Sequence, residues 1–247
     1  MSEGDAGGAG SGARSAPAPR TLVEEHKLSP MRRTIAERLG ESYRNAVHVT
    51  LSREVDAEAL VDAVARAEAG TGADVSLLDV LLSAVSATLD EHPAFNATFE
   101  DGSHRVYAEH NLAVAVAIGD GLVTPVIADV GRKSLAEVAS ERRRLTDLVQ
   151  AGDYSMSDLR GGTFTVSNLG PLGVDSFTPI INPPEVAILG VGRTRERARP
   201  DGDGVDFRRW VTLDLSIDHR VVDGAVAAEF ANTVMEHLEH PLLLLTQ

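Results

Sequence analysis

The amino-acid sequence predicts a mixed α/β fold, closer to α+β than to a regular doubly wound sheet, in one domain spanning residues 28–247. Three observations carry this reading. Helix-like and strand-like segments are interspersed without strict alternation. The longest apolar runs, such as Leu112 to Ile118, are strand-sized, and none is long enough to span a bilayer. Residues 1–27 are dominated by Gly, Ala, Ser and Pro up to Arg20. Such a segment buries too little surface to offset its ordering entropy, so it reads as a flexible linker or disordered tail. The 247 residues suffice for one sizeable core and are short for two.

The elements follow in order. Ser29 caps a helix with Pro30 at its first position, and Met31, Ile35 and Leu39 recur at helical spacing. Val47 to Val55 alternates as a strand. Asp56 caps a helix through Leu60, Val64 and Ala67, which Gly70 to Gly72 breaks. Ser76 opens a helix whose wide apolar stripe, Leu78, Leu81, Leu82, Val85 and Leu89, predicts burial; His92-Pro93 ends it. Short strands are expected around Ala97 and Val106 and over Asn111 to Ile118. A turn at Gly119-Asp120-Gly121 leads to a strand, Leu122 to Ile127, made edge-like by Pro125. Ser134 to Val149 is an amphipathic helix with an Arg-rich outer face. Strands follow at Thr163 to Ser167, Val186 to Val191 and Val211 to Ile217, then a helix from Gly224 to Leu238. No internal repeat is present.

Composition excludes several classes. With no cysteine there is no disulfide, thiol nucleophile or thiolate metal site. The formal net charge of -14 repels phosphate backbones, so nucleic acid is not an expected partner. No membrane segment and no secretory leader are read, so the cytoplasm is the expected compartment. Lys27 and Lys133 are the only lysines. An acidic, Lys-poor surface suits a halophilic, high-salt cytoplasm; a GC-rich genome yields a similar composition, and both readings stay open.

Familiar cofactor signatures are missing. Gly190-Val-Gly192 runs into Arg193, so a dinucleotide fingerprint is incomplete, and no phosphate-cradling loop ends in Lys-Ser or Lys-Thr. The eight histidines are scattered, so no metal site is indicated. Chemistry concentrates in two stretches. In Ser216-Ile-Asp-His219-Arg-Val-Val-Asp223-Gly-Ala225 a strand ends in a histidine, and an aspartate precedes a helix. Histidine takes and returns protons near neutral pH, and Asp223 can orient the ring or hold the loop. In Gly161-Gly-Thr-Phe-Thr-Val-Ser167-Asn-Leu-Gly170 the hydroxyl of Ser167 closes a strand and can donate to an oxyanion. On spacing alone, a histidine at a strand end and a Ser-Asn turn serve structure as readily as catalysis.

The stretch around His219 resembles the active-site motif of the dihydrolipoamide acyltransferases of 2-oxo acid dehydrogenase complexes, Asp-His-Arg-x-x-Asp-Gly-Ala. The similarity extends, in order, from about residue 28 to the C-terminus. It takes in Leu28-Ser-Pro-Met-Arg-Arg-Thr-Ile-Ala-Glu-Arg-Leu39, His48-Val-Thr-Leu, Glu54-Val-Asp-Ala-Glu-Ala-Leu60, Pro93-Ala-Phe-Asn-Ala97 and Gly121-Leu-Val-Thr-Pro-Val-Ile127. Gly161 to Gly170, Phe177-Thr-Pro-Ile-Ile-Asn-Pro-Pro184 and Ala187-Ile-Leu-Gly-Val-Gly192 complete the series.

The resemblance implies a chloramphenicol acetyltransferase-like sandwich, a large mixed sheet with helices packed on one side, assembled as a homotrimer. The active site would lie between subunits, with His219 from one and Ser167 from its neighbour. His219 would be the general base in acyl transfer between dihydrolipoamide and coenzyme A, Ser167 the oxyanion donor, and Asp223 a loop residue held by an ion pair. Asn168, Leu169 and Gly170 would line the coenzyme's thiol arm. The apolar tail Pro241 to Leu245 would join trimers into a larger core. Implied partners are a lipoyl-bearing protein, a decarboxylase and a dihydrolipoamide dehydrogenase; no metal is implied.

Two departures stand out. The family usually has Pro where this chain has Val47. No lipoyl or partner-binding domain, and no Asp-Lys-Ala lipoylation site, precedes Leu28, so the chain is expected to be a fragment or a standalone protein whose lipoyl carrier is separate. The acyl group, whether acetyl, succinyl or branched-chain, is not specified by these motifs. A catalytically weak assembly scaffold and a coenzyme A-dependent acyltransferase for a small soluble acceptor are the alternatives.

Overall fold

A computed structural model describes residues 18, 20–119 and 121–241. The helices are α1 (Pro30–Asn45), α2 (Glu58–Thr71), α3 (Leu77–Glu91), α4 (Leu135–Ala151) and α5 (Gly224–Glu239). The strands are β1 (His48–Asp56), β2 (Ala97–Glu100), β3 (Ser103–Val106), β4 (Leu112–Val114), β5 (Val116–Ile118), β6 (Gly121–Val123), β7 (Val126–Ile127), β8 (Phe164–Asn168), β9 (Ala187–Val191), β10 (Arg195–Asp201) and β11 (Gly204–Asp218). Residues 20–28 are exposed and, with Ser29, carry no regular structure. The rest of the expected tail, the turn at Asp120 and the leucines beyond Pro241 lie outside the described residues.

The predicted helix starts are present, with their hydrogen bonds. The Ser29 hydroxyl accepts from the Arg32 N–H at 3.2 Å, with Pro30 inside the first turn. Ser76 and Asp79 form a capping box on α3, and Ser134 and Glu137 form one on α4, each satisfying orphan N–H groups reciprocally. At α2 the cap position is Ala57, and Asp56 acts one residue earlier, accepting from the Glu58 N–H at 3.1 Å.

A seven-stranded mixed sheet runs β1-β11-β9-β8-β4-β7, with β10 continuing the β9 side of β11. β4, β8 and β9 are mutually parallel, and the other pairs are antiparallel. The expected edge position near Pro125 holds, since β7 ends the sheet. Two expected strands are each broken in two. After Val114 the chain leaves the large sheet, and β5 folds back on β6 as a separate ribbon. Pro125, which has no N–H to give, separates β6 from β7. The β10–β11 hairpin is longer than the expected strand Val211 to Ile217: seven cross-strand pairs run from Arg195↔Trp210 to Asp201↔Gly204.

The two faces of the sheet differ sharply. One carries Leu213, Leu215, Ile217, Leu189, Val166 and Phe164, all buried under the helices. Phe230 of α5 stacks there on Phe95 at 4.1 Å and on Phe164 at 5.7 Å between ring centroids. The opposite face is polar yet buried at Thr165, Asp214 and Ser216, and it opens to solvent along β1. Thr50 meets Ser216 at 2.7 Å, and Ser52 donates to the Asp214 carboxylate at 2.5 Å. A strap, residues 171–185, lies over this face. Ser176 Oγ and the Phe177 N–H donate to Asp214 at 3.1 and 3.0 Å, and the Ile181 N–H donates to His48 Nε2 at 3.2 Å. Gly190 admits the strap, because a Cβ there would stand 2.9 Å from the Phe177 ring. Asp214 thus accepts from Ser52, Ser176 and Phe177, and its buried carboxylate is not left bare.

Glu185 closes the strap with no exposed surface to speak of. It accepts from Thr165 Oγ1 at 2.5 Å and from Asn182 Nδ2 at 3.1 Å. Burial outweighs these bonds and pushes its carboxyl from 4.5 up to about 8. The folded state therefore keeps a proton that the unfolded chain releases above pH 4.5. The associated stability is full below that pH and is lost as the pH rises toward about 8. Glu185→Gln, which keeps shape and hydrogen bonding, is expected to raise stability at pH 8 by a few kcal/mol, on the order set by the shift, with no gain at pH 4. Denaturant midpoints across that range check it; a constant offset at every pH would contradict the burial argument.

Candidate active site

Ser167 lies on β8, on the polar face, two residues beyond Thr165. It is 9% exposed, and its hydroxyl makes no hydrogen bond among the described residues, so a donor is left available. The turn after it is built locally. The Asn168 carboxamide oxygen accepts from the Gly170 N–H at 2.9 Å, and the Leu169 N–H donates to the Val191 carbonyl at 3.0 Å. Gly170 is required there, since a Cβ would stand 2.7 Å from the Gly192 carbonyl oxygen. Beside this turn opens a cavity of about 500 Å³. Leu60, Leu77, Leu78 and Leu81 line it, with Asn168 and Gly170 at one end.

His219 follows the last residue of β11. Its N–H donates to the Val47 carbonyl at 2.8 Å, pinning the segment to the start of β1. The imidazole is 39% exposed and lies over the first turn of α5 near Gly224. Nδ1 stands 4.0 Å from Asp223 Oδ1, too far for a hydrogen bond. Asp223 is 84% exposed, and no lysine or arginine pairs with it among the described residues, so the expected ion pair is not made within this chain. No cluster of three or more potential metal ligands occurs among those residues.

The structure groups Ser167 with Asn168, Leu169 and Gly170, and His219 with Asp223, but it keeps the two groups apart. Ser167 is in register with Gly190, and Gly190 with Asp214, two strands away on β11. His219 lies five residues further along. With about 3.3 Å per residue and about 4.8 Å per strand, their separation is roughly 20 Å. No rotamer change spans that gap, so the two side chains of one subunit do not meet.

The sequence reading missed the neighbours of His219. Asp218 is nearly buried. Burial raises its carboxyl, but hydrogen bonds from the Arg220 guanidinium and from the Arg220 and Val47 N–H groups outweigh that and hold it below the usual range. The same pairing raises Arg220. The alternation of charges around His219 was the available signal.

Comparison with known proteins places the chain in a family. Residues 21–246 match the family described as 2-oxoacid dehydrogenases acyltransferase (catalytic domain). The dihydrolipoyllysine-residue acetyltransferase component of the pyruvate dehydrogenase complex of Rickettsia bellii is 38% identical over 229 residues, covering 90% of this chain and 55% of that protein. The chain thus spans about half the length of the curated relatives it matches. Among solved structures, the dihydrolipoamide acetyltransferase of Azotobacter vinelandii superposes with a TM-score of 0.86 at 32% identity, over 93% of this chain and 99% of that one. That structure was determined to examine a serine, a histidine and an asparagine in the enzyme's catalytic mechanism. The cubic core of the pyruvate dehydrogenase multienzyme complex matches with the same TM-score, identity and coverage. A chloramphenicol acetyltransferase, at 15% identity and a TM-score of 0.53 over 82% of this chain and 94% of that one, shows the fold alone. The helix-backed mixed sheet and the matched family agree: this chain belongs to the 2-oxoacid dehydrogenases acyltransferase family.

Proposed function

We propose that the chain transfers an acetyl group between dihydrolipoamide and coenzyme A, as the core subunit of a pyruvate dehydrogenase-type complex. The observation that carries this reading is the roughly 20 Å between Ser167 and His219, a base and a donor that become a site only when two copies of the chain meet. The exposed Leu39 and Tyr43 of α1 are apolar surface that a second copy would cover. In the Azotobacter enzyme the named serine and histidine stand as far apart in sequence as Ser167 and His219 here. Its asparagine follows the histidine at the spacing of Asp223.

The proposed chemistry uses this chain's residues directly. His219 Nε2, the ring nitrogen turned away from Asp223, takes the proton of the attacking thiol, an alkyl thiol no more acidic than a cysteine's at about 8.5, which leaves little thiolate at neutral pH. The thiolate sulfur bonds to the thioester carbonyl carbon, and the carbonyl oxygen becomes an oxyanion. Ser167 Oγ–H from the adjoining subunit donates to it. Collapse breaks the original carbon–sulfur bond, and the imidazolium returns the proton to the leaving thiolate. Asp223 acts on the ring only at a distance. Asn168, Leu169 and Gly170, the turn that directly follows Ser167, are assigned to line the coenzyme's thiol arm. Coenzyme A release from acetyl-coenzyme A with dihydrolipoamide as acceptor tests this. Turnover preferring acetyl to succinyl and isobutyryl donors supports the reading, and an inert, folded, assembled sample rejects it.

We place the complex in the cytoplasm, with a lipoyl-bearing chain, a decarboxylase and a dihydrolipoamide dehydrogenase as its partners and a trimer as its unit of assembly. Among the described residues no helix is long and apolar enough to cross a membrane. A net charge of -14 is self-repulsive, and salt screens it. If the protein works in a high-salt cytoplasm, its melting temperature is expected to rise by several degrees, about 5 °C or more, between 0.1 and 2 M potassium chloride. A flat or falling response would assign the composition to codon bias.

A further inference from the structure

The residues on either side of His219 do more than end a strand. Asp218, 3% exposed, accepts from the Val47 N–H at 3.2 Å and from the Arg220 N–H at 3.1 Å. Arg220 Nε lies 3.0 Å from both carboxylate oxygens, and Nη2 lies 2.5 Å from one of them. The guanidinium then covers the ring of Phe99 on β2, 4.8 Å from its centroid. The backbone is fixed over the same residues. The Asp218 N–H donates to the Val186 carbonyl at 2.9 Å, and the Val221 and Val222 N–H groups donate to the Asp218 carbonyl at 3.0 and 3.1 Å. Four parts of the chain, the residue before β1, β2, the residue before β9 and the approach to α5, therefore converge on three consecutive residues.

The imidazole itself lacks such support, since its nearest charged neighbour, Asp223, is exposed and beyond hydrogen-bond reach. A base must sit within a fraction of an ångström of its proton to work well, and a displacement of about 1 Å costs on the order of 10²-fold in rate. We propose that Asp218, Arg220 and Phe99 form a clamp that positions His219, so that the loop backbone, rather than Asp223, sets where the base points. Arg220 suits the task because its planar fork binds both carboxylate oxygens at once while its face lies on an aromatic ring. Lysine offers a single point of charge and cannot do both. Asp218 and Arg220 touch no substrate in this arrangement; they are positioning residues that act through His219.

The inference rests on the acyl-transfer reading, and a double-mutant cycle separates the two. The assembled full chain is assayed as wild type, Arg220→Lys, Arg220→Met and Phe99→Leu, each with and without His219→Ala. Arg220→Met is expected to lower kcat about 10²-fold with KM for both thiol substrates within about twofold. Arg220→Lys is expected to fall between it and wild type, and Phe99→Leu to lose about tenfold or less. In the His219→Ala background all three changes are expected to leave the residual rate unaltered, because the group they position is gone. An equal fold-loss in that background would mean that Arg220 serves assembly or substrate directly, and the clamp would be wrong. Unchanged kcat in the single variants, or a loss confined to KM, would overturn it as well. Should Arg220→Met fail to assemble, Arg220→Lys and Phe99→Leu complete the cycle. An inactive wild type sinks the acyl-transfer reading and the clamp together, whereas an active wild type with an inactive His219→Ala and an unaffected Arg220→Lys sinks the clamp alone.

Discussion

His219→Ala is expected to lower kcat for acyl transfer by roughly 10²–10⁴-fold, the range for removal of a general base. The loss should fall on kcat and kcat/KM alike, because the imidazole contributes when the thiol proton moves and little when substrate binds. The residual rate should rise with pH up to pH 9, as thiolate formed in solution replaces thiolate made at the site, because even a cysteine thiol titrates only near about 8.5. Stability should change little, since the imidazole is 39% exposed and its nearest side-chain partner is 4.0 Å away. The fixed backbone, with the His219 N–H on the Val47 carbonyl, survives the substitution. Steady-state rates from pH 6 to 9 check this. A loss in KM alone would make His219 a binding residue.

Ser167→Ala is expected to cost about 10²–10³-fold in kcat, as one oxyanion donor is removed. Its signature differs from that of His219→Ala. Proton removal is intact, so the pH profile should keep the wild-type shape at a lower level. The hydroxyl makes no hydrogen bond among the described residues, so its loss leaves no buried partner stranded and the fold should be unaffected. A comparable loss of stability, or a pH profile like that of the histidine variant, would assign Ser167 to structure.

Much of the fold was legible because local signals and tertiary demands agree. Ser29-Pro30, Ser76 with Asp79, and Ser134 with Glu137 mark helix starts by chemistry that acts over three residues, so no distant contact is needed to read them. The β10–β11 hairpin was missed because Arg195 to Asp201 is polar along most of its length and has no alternation of apolar with polar residues. The turn Asp201-Gly-Asp-Gly204 was its one visible cue. The strands over 112–118 and 121–127 read as continuous, and only the partners chosen in three dimensions divide them. Asp214 and Ser216 alternate as a solvent face would, yet the strap covers them, and nothing local foretells that Glu185 is buried. At the site, Ser167 and His219 were legible through resemblance, but their separation depends on strand register, which the sequence does not display. Asp218, Arg220 and Phe99 escaped notice because Phe99 reaches the motif from more than a hundred residues away.

The central claim, that a base from one chain and a donor from another make one site, is tested most directly by complementation. Ser167→Ala and His219→Ala chains are co-expressed in equal amounts, and mixed assemblies are verified by mass spectrometry. Each mutant alone should be nearly inactive. In a cyclic assembly with random mixing, about a quarter of the interfaces pair an intact His219 with an intact Ser167, so the mixture should recover about a quarter of wild-type activity. Verified mixed assemblies that stay at the level of the single mutants would contradict a shared site and would require His219 and Ser167 to act, if at all, within one chain.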